Sequence, residues 1–179
     1  MDAALELGFS CGGWCPAGRL AEDGKIPERY PVVELADGGY AERTAKNVAD
    51  SDGTLIFAHG PLMGGTRETL HLCIKQGKPH LVIDLQTVSI EKAIGQALEF
   101  VRTLSSRANA RDLSNTDAIT EHSRGFSPRK YPRLGMTLVL NVAGPRASQW
   151  PEGRSIAHEI VSAVLRRLSG HNCADEYSS

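Results

Sequence analysis

The chain has 179 residues, 41% hydrophobic and 23% charged, with a net charge of −1 and a pI near 6.6. That length can bury a real core and suits one domain, and the composition is that of an ordinary soluble globule. Near-neutral charge argues against nucleic acid or a membrane surface as a bulk partner, and no apolar run approaches the ~20 residues needed to span a bilayer.

In chain order, residues 1 to 8 read as the last turns of a helix, with Ala3, Ala4, Leu5 and Leu7 on its apolar face and Gly8 as its cap. The N-terminus lacks a basic region followed by an apolar core, so no secretory signal is visible and the cytoplasm is the expected location. Phe9 to Trp14 reads as a short strand. A long loop from Cys15 to Tyr30 follows, then a second short strand from Pro31 to Leu35. Loops of that length without periodicity are usually functional or mobile. Tyr40 to Ser51 reads as a helix, with Arg43 and Asn47 four residues apart on neighbouring ground. Asp50 to Gly53 ends it.

The centre of the chain is Thr54 to Leu70. An apolar run, Leu55 to Ala58, leads into a turn with Gly60, Pro61, Gly64 and Gly65, and then into a helix from Thr66 to Gln76. A turn at Gly77-Lys78-Pro79 precedes a second apolar run, His80 to Ile83, with Asp84 at its carboxyl end. This is one βαβ unit, whose crossover makes the two strands parallel. The turn is neither a Walker A loop nor a Gly-x-Gly-x-x-Gly fingerprint. It has two readings. One is a plain strand-to-helix turn. The other is an anion site, because glycines expose backbone N–H groups and the first turn of a helix carries partial positive charge. Thr66 is the expected helix cap.

A helix is expected from Ser89 to Leu104, with Ile90, Ala93, Ile94, Ala97, Leu98 and Val101 on its buried stripe. Residues 105 to 134 read as an irregular, mostly disordered insertion, allowing one short helix near Asp117 to His122. Thr137 to Val142 is the last strand, Ile156 to Leu168 the last helix, and residues 169 to 179 a polar tail. The reading is a single α/β domain over residues 1 to 168. Its open, mainly parallel sheet is Rossmann-like, with helices on both faces.

Polar segments fall at the strand ends that such a sheet gathers: 13 to 24, the Arg43/Asn47 face, 50 to 52, 60 to 66, Asp84, and 141 to 146. Arg19, Arg43 and Arg146 are candidates to clamp an oxyanion bidentately. Glu22, Asp23 and Asp52 are candidates to hold a ribose, a ring edge or an amide. His59 is the one histidine with a site role in view. The four cysteines read as reduced thiols, since Cys11-x-x-x-Cys15 is not a zinc or redox spacing. No Gly-x-Ser-x-Gly elbow and no His-x-x-x-His pair occurs.

Several longer motifs carry a resemblance. They are Gly12-Gly13-Trp14-Cys15-Pro16-x-Gly18-Arg19-x-Ala21-Glu22-Asp23-Gly24-x-Ile26-Pro27-x-x-Tyr30, Tyr40-x-x-Arg43-Thr44-x-x-Asn47-Val48, Asp50-Ser51-Asp52-Gly53-Thr54-Leu55-Ile56, Gly60-Pro61-Leu62-x-Gly64-Gly65-Thr66, and Asn141-Val142-Ala143-Gly144-Pro145-Arg146. Together they resemble the molybdenum carrier-like family, over most of residues 1 to 100 and 137 to 168. That family belongs to the SLOG superfamily of Rossmann-like proteins, which it shares with the LOG ("lonely guy") nucleotide phosphoribohydrolases.

The resemblance implies a binding protein for a small phosphorylated ligand, with molybdenum cofactor, a pterin phosphate, as the cofactor. It implies that Gly60, Pro61, Gly64, Gly65 and Thr66 cradle phosphate. It implies that Gly13, Trp14, Arg19, Glu22, Asp23, Gly24, Arg43, Thr44, Asn47 and Asp52 line the pocket, with no protein-held metal and no catalytic residue. A homo-oligomer is the expectation by analogy with the superfamily. The family pattern has a strand and a glycine-rich turn ahead of the helix that ends at Gly8, and against it the chain reads as N-terminally shortened. Residues 105 to 134 have no counterpart in that pattern. The alternative is hydrolysis of nucleoside monophosphates. It is disfavoured because the LOG-type catalytic glutamate position is Thr69, and Glu68 beside it is rotated by about 100° on a helix.

Overall fold

A computed structural model describes residues 1–114 and 138–170. The chain opens with α1 (Asp2–Glu6), β1 (Gly13–Cys15), a single 3₁₀ turn (Ala17–Arg19), and the short strands β2 (Leu20–Ala21) and β3 (Gly24–Lys25). It continues with β4 (Val32–Glu34), α2 (Tyr40–Ala49), β5 (Gly53–Ala58), α3 (Gly64–Lys75) and β6 (His80–Asp84). It closes with α4 (Ile90–Ser114), β7 (Leu140–Ala143) and α5 (Gly153–Leu168). The fold is Rossmann-like α/β. β5 lies between β6 and β7, parallel to both, and β1 pairs in parallel with β4.

β5 is buried along its whole length, so both of its faces are covered. Side chains alternate between them. Leu55 and Phe57 join Ile83, Ala93, Ala97, Val101, Trp150 and Ile160 in the core beneath α4 and α5. Thr54, the next residue over, faces the opposite layer, where α2 packs on α3 and Cys73 reaches the Thr54 hydroxyl. Each large aliphatic or aromatic side chain buried this way contributes about 1.5–3 kcal/mol. α1 packs on α5 and ends in a Schellman motif: Gly8, at φ +71°, donates to the Leu5 carbonyl, and Phe9 to the Ala4 carbonyl.

Several element boundaries differ from the sequence reading. The first strand is three residues at 13–15 rather than six from Phe9, because its partner β4 begins at Val32, opposite Gly13, and offers nothing for the residues before it to pair with. The loop after it carries the 3₁₀ turn and the β2–β3 hairpin. α3 starts at Gly64 with Met63 as its N-cap, so Thr66 sits inside the first turn rather than capping it. α4 runs ten residues past Leu104. The last strand begins at Leu140, after Asp52 and Val139 have exchanged two hydrogen bonds of 2.8 Å. The expected helix near Asp117 to His122, most of the insertion, Thr137 and the tail beyond Gly170 lie outside the described residues.

Candidate functional site

Three parallel strands side by side place their carboxyl ends on one rim, which is where ligands bind in open α/β sheets. From β5 comes His59-Gly60, from β6 Asp84 to Gln86, and from β7 the loop Gly144 to Trp150. These segments are locked together. The Trp150 ring stacks on His59 at 5.1 Å between centroids, with planes 17° apart. One carboxylate oxygen of Asp84 accepts the backbone N–H groups of Gly60 at 2.9 Å and Gln86 at 3.0 Å. Those two donors, Gly60 first, hold the Asp84 carboxyl below the ordinary carboxylate range. Gly60 adopts φ +83°, and a Cβ there would stand 2.9 Å from the Gln86 side-chain oxygen. Its N–H serves the turn and is not free for a ligand.

The start of α3 is different. Met63 is extended and no side chain caps the helix. The first N–H groups of a helix have no intrahelical partner, so those of Gly64, Gly65 and Thr66 face outward. A Cβ on Gly65 would meet nothing within 4 Å, and one on Gly64 would meet only the Gln149 amide nitrogen at 3.8 Å. Thr66 is buried. The approach to this helix end is therefore open backbone with partial positive charge.

A second feature lies at the start of α2. Tyr40, its first residue, is flanked by two guanidiniums, Arg43 at 5.9 Å and Arg146 at 5.4 Å from the ring centre. Arg43 is half-buried, and its Nε has no hydrogen-bond partner. Burial lowers its pKa most, and Arg146 nearby adds to that. The Cys15 thiol beside it is pushed up by its own burial.

The other expected site residues have structural partners. Arg19 is buried and donates to the carbonyls of Ile26, Val32, Pro27 and Tyr30 at 2.8–3.1 Å. Its donors are thus turned inward onto its own loop, where the Glu28 carboxylate stands 3.9 Å from Nε. The Asn47 amide clasps the backbone of Trp14, accepting at 2.8 Å and donating at 3.2 Å. A Cβ on Gly13 would stand 3.1 Å from that amide oxygen. The Trp14 indole donates to Asp50 at 2.6 Å, with the Lys46 ammonium 3.9 Å from the ring centre. The Thr44 hydroxyl bonds back to the Tyr40 carbonyl, and Asp52 holds Val139. Glu22 accepts from the Ser148 hydroxyl, which ties the β2–β3 hairpin to the loop after β7. Gly24 turns that hairpin at φ +116°, and Asp23 and Pro61 are exposed. Thr69 is buried and bonds back to the Gly65 carbonyl, whereas Glu68 is exposed.

Of the expected set, Gly64, Gly65 and Thr66 form the uncapped first turn of α3, and Arg43 keeps an Nε without a hydrogen-bond partner. The structure adds Tyr40 and Gln149, which were not read as site residues. The three-residue spacing of Tyr40 and Arg43 on one helix face was the available signal. An apolar groove of about 190 Å³ lies between β7 and the start of α5, lined by Phe57, Val142, Ala147, Trp150 and Ala157. Its one cation, Arg154, is paired with Asp2 at 2.9 Å.

Residues 1–127 match the model of the circularly permutated YpsA SLOG family. A crystal structure of a protein named "Putative molybdenum carrier protein", from Syntrophus aciditrophicus SB, is 34% identical, over 92% of this chain and 82% of that one, with a TM-score of 0.67. No curated protein matches.

Proposed function

This chain belongs to the circularly permutated YpsA SLOG family, and on that premise we propose that it binds a small phosphorylated anion at the start of α3. The observation that carries the reading is the uncapped first turn at Gly64-Gly65-Thr66, with open space in front of it. Backbone N–H groups there donate to phosphate oxygens, and the helix dipole favours the negative charge.

The ligand we infer is molybdenum cofactor, held for storage or delivery. The name of the solved relative supports this. So does the fit of the residues, which offer donors for a phosphate. Among the described residues no three His, Cys, Asp or Glu side chains cluster to hold a metal ion. A metal would arrive on the ligand's own atoms. The chain's part is to bind the phosphate, orient the ring and keep the glycine turn in place through Asp84.

Thermal unfolding with and without molybdenum cofactor, molybdate or AMP tests the reading. A ligand that binds only the folded form adds about 2.7 kcal/mol at a hundredfold excess over its Kd. The expected result is a raised midpoint with the cofactor, absent in Gly65→Val. The variant is expected to fold, because a Cβ at this position meets nothing within 4 Å, and its shift is read against its own ligand-free midpoint. An unchanged shift in Gly65→Val sinks the reading. A shift with AMP alone, followed by release of free base, would replace it with nucleotide hydrolysis.

A further inference from the structure

Arginines with a structural role in this molecule are paired. Arg19 spends its donors on four carbonyls, and Arg154 is bonded to Asp2. Arg43 and Arg146 are not. Neither guanidinium has a carboxylate or hydrogen-bond partner among the described residues, and the Arg43 Nε–H is buried without an acceptor. They come from different elements, α2 and the loop after β7, yet both lie against the Tyr40 ring. A half-buried cation beside a second cation is unfavourable unless an anion joins them. A ring face answers only part of that need.

We propose that Arg43 and Arg146, set about Tyr40, form a second anion subsite that takes a tetrahedral oxyanion. Two guanidiniums supply paired N–H donors of the geometry such a group accepts. The oxyanion is either a further phosphate of the ligand or a free metal oxyanion. Gln149 lies between the loop that carries Arg146 and the start of α3. Its oxygen accepts the Arg146 backbone N–H at 3.4 Å, and its nitrogen stands 3.8 Å from the Cβ position of Gly64. The Arg146 backbone and the start of α3 thus lie on either side of one side-chain amide, and a diphosphate is the probe for a ligand that engages both subsites. Engagement of both rests on the reading that α3 holds a phosphate. The arginine subsite does not.

Calorimetric titration of the full chain with pyrophosphate, orthophosphate and molybdate tests this on the wild type, Arg43→Gln, Arg146→Gln and Gly65→Val. The wild type is expected to bind pyrophosphate roughly tenfold or more tightly than orthophosphate. Each arginine variant erases that preference, and Gly65→Val weakens both ligands. Molybdate binding that is lost in the arginine variants and kept in Gly65→Val also supports the subsite and identifies its oxyanion as free. Pyrophosphate preference and molybdate affinity both unchanged in Arg146→Gln overturn the proposal. Arg146 is exposed, so that variant decides the matter even where Arg43→Gln fails to fold. Loss in the arginine variants with Gly65→Val fully active would leave this subsite standing and remove the one at α3.

Discussion

Arg19, in a loop, and Arg43, on a helix, both read as oxyanion clamps in the sequence, and the fold gives them opposite circumstances. Arg19 adopts φ +54°, the one non-glycine positive φ among the described residues, and buries its guanidinium inside its own loop. A residue held there costs about 1–2 kcal/mol of backbone strain, which the four carbonyl bonds offset. Arg43 keeps an unpaired donor instead. No local pattern shows where the Arg19 donors go, because their acceptors lie seven to thirteen residues away and converge only after the chain has curled. The reading of Arg19 as an oxyanion clamp fails for that reason. Lysine has one donor centre in place of a planar fork. Arg19→Lys is therefore expected to lose ~3 kcal/mol of stability, measured by urea unfolding, through unsatisfied carbonyls. Orthophosphate affinity extrapolated to the folded fraction should stay at the wild-type value.

At the scale of elements, the βαβ unit from β5 to β6 was legible because an apolar run, a glycine turn, a helical pattern and a second apolar run follow in order. The start of α3 was misplaced by two residues. Gly64 and Gly65 are poor helix formers, so propensity put the boundary at Thr66, the first residue with a capping side chain. The fold instead starts the helix on the glycines and leaves its N-cap to Met63, whose thioether is only a weak acceptor and makes no capping hydrogen bond. That choice forgoes stability and leaves the N–H groups outward. Met63 is exposed, and its φ −132° and ψ 165° suit a capping residue. Met63→Asp is expected to raise unfolding stability by ~1 kcal/mol. The same variant should weaken orthophosphate binding roughly tenfold, because the new carboxylate competes for the same donors. The end of α4 was misplaced for the opposite reason. Its apolar stripe stops near Leu104, while the backbone continues helical through the polar residues to Ser114.

For the whole molecule, the parallel α/β architecture followed from alternating strand and helix patterns, and the rim on which β5, β6 and β7 end followed from that. The sequence did not disclose how closely the layers approach. Gly53, at the head of β5, has no room for a side chain: a Cβ would stand 2.5 Å from Leu104 Cδ1 and 3.1 Å from Phe100 Cζ. α4 closes over the strand at that point. Gly53→Ala is expected to cost about 1–3 kcal/mol by overpacking, read as a lowered urea midpoint with an unchanged slope. The rim lies at the other end of the strand, so the variant should still bind orthophosphate when folded.

The loop from Pro16 to Val32 is organised as metal-bound loops are, with carbonyl oxygens turned inward upon a central positive charge. Here that charge is the Arg19 guanidinium, tethered to the backbone it organises. It cannot dissociate, exchange or be chelated, and its capture carries no translational entropy cost. The order of this segment is thus independent of ionic supply, and the hairpin that reaches Ser148 on the rim is held at a fixed position whatever ions surround it.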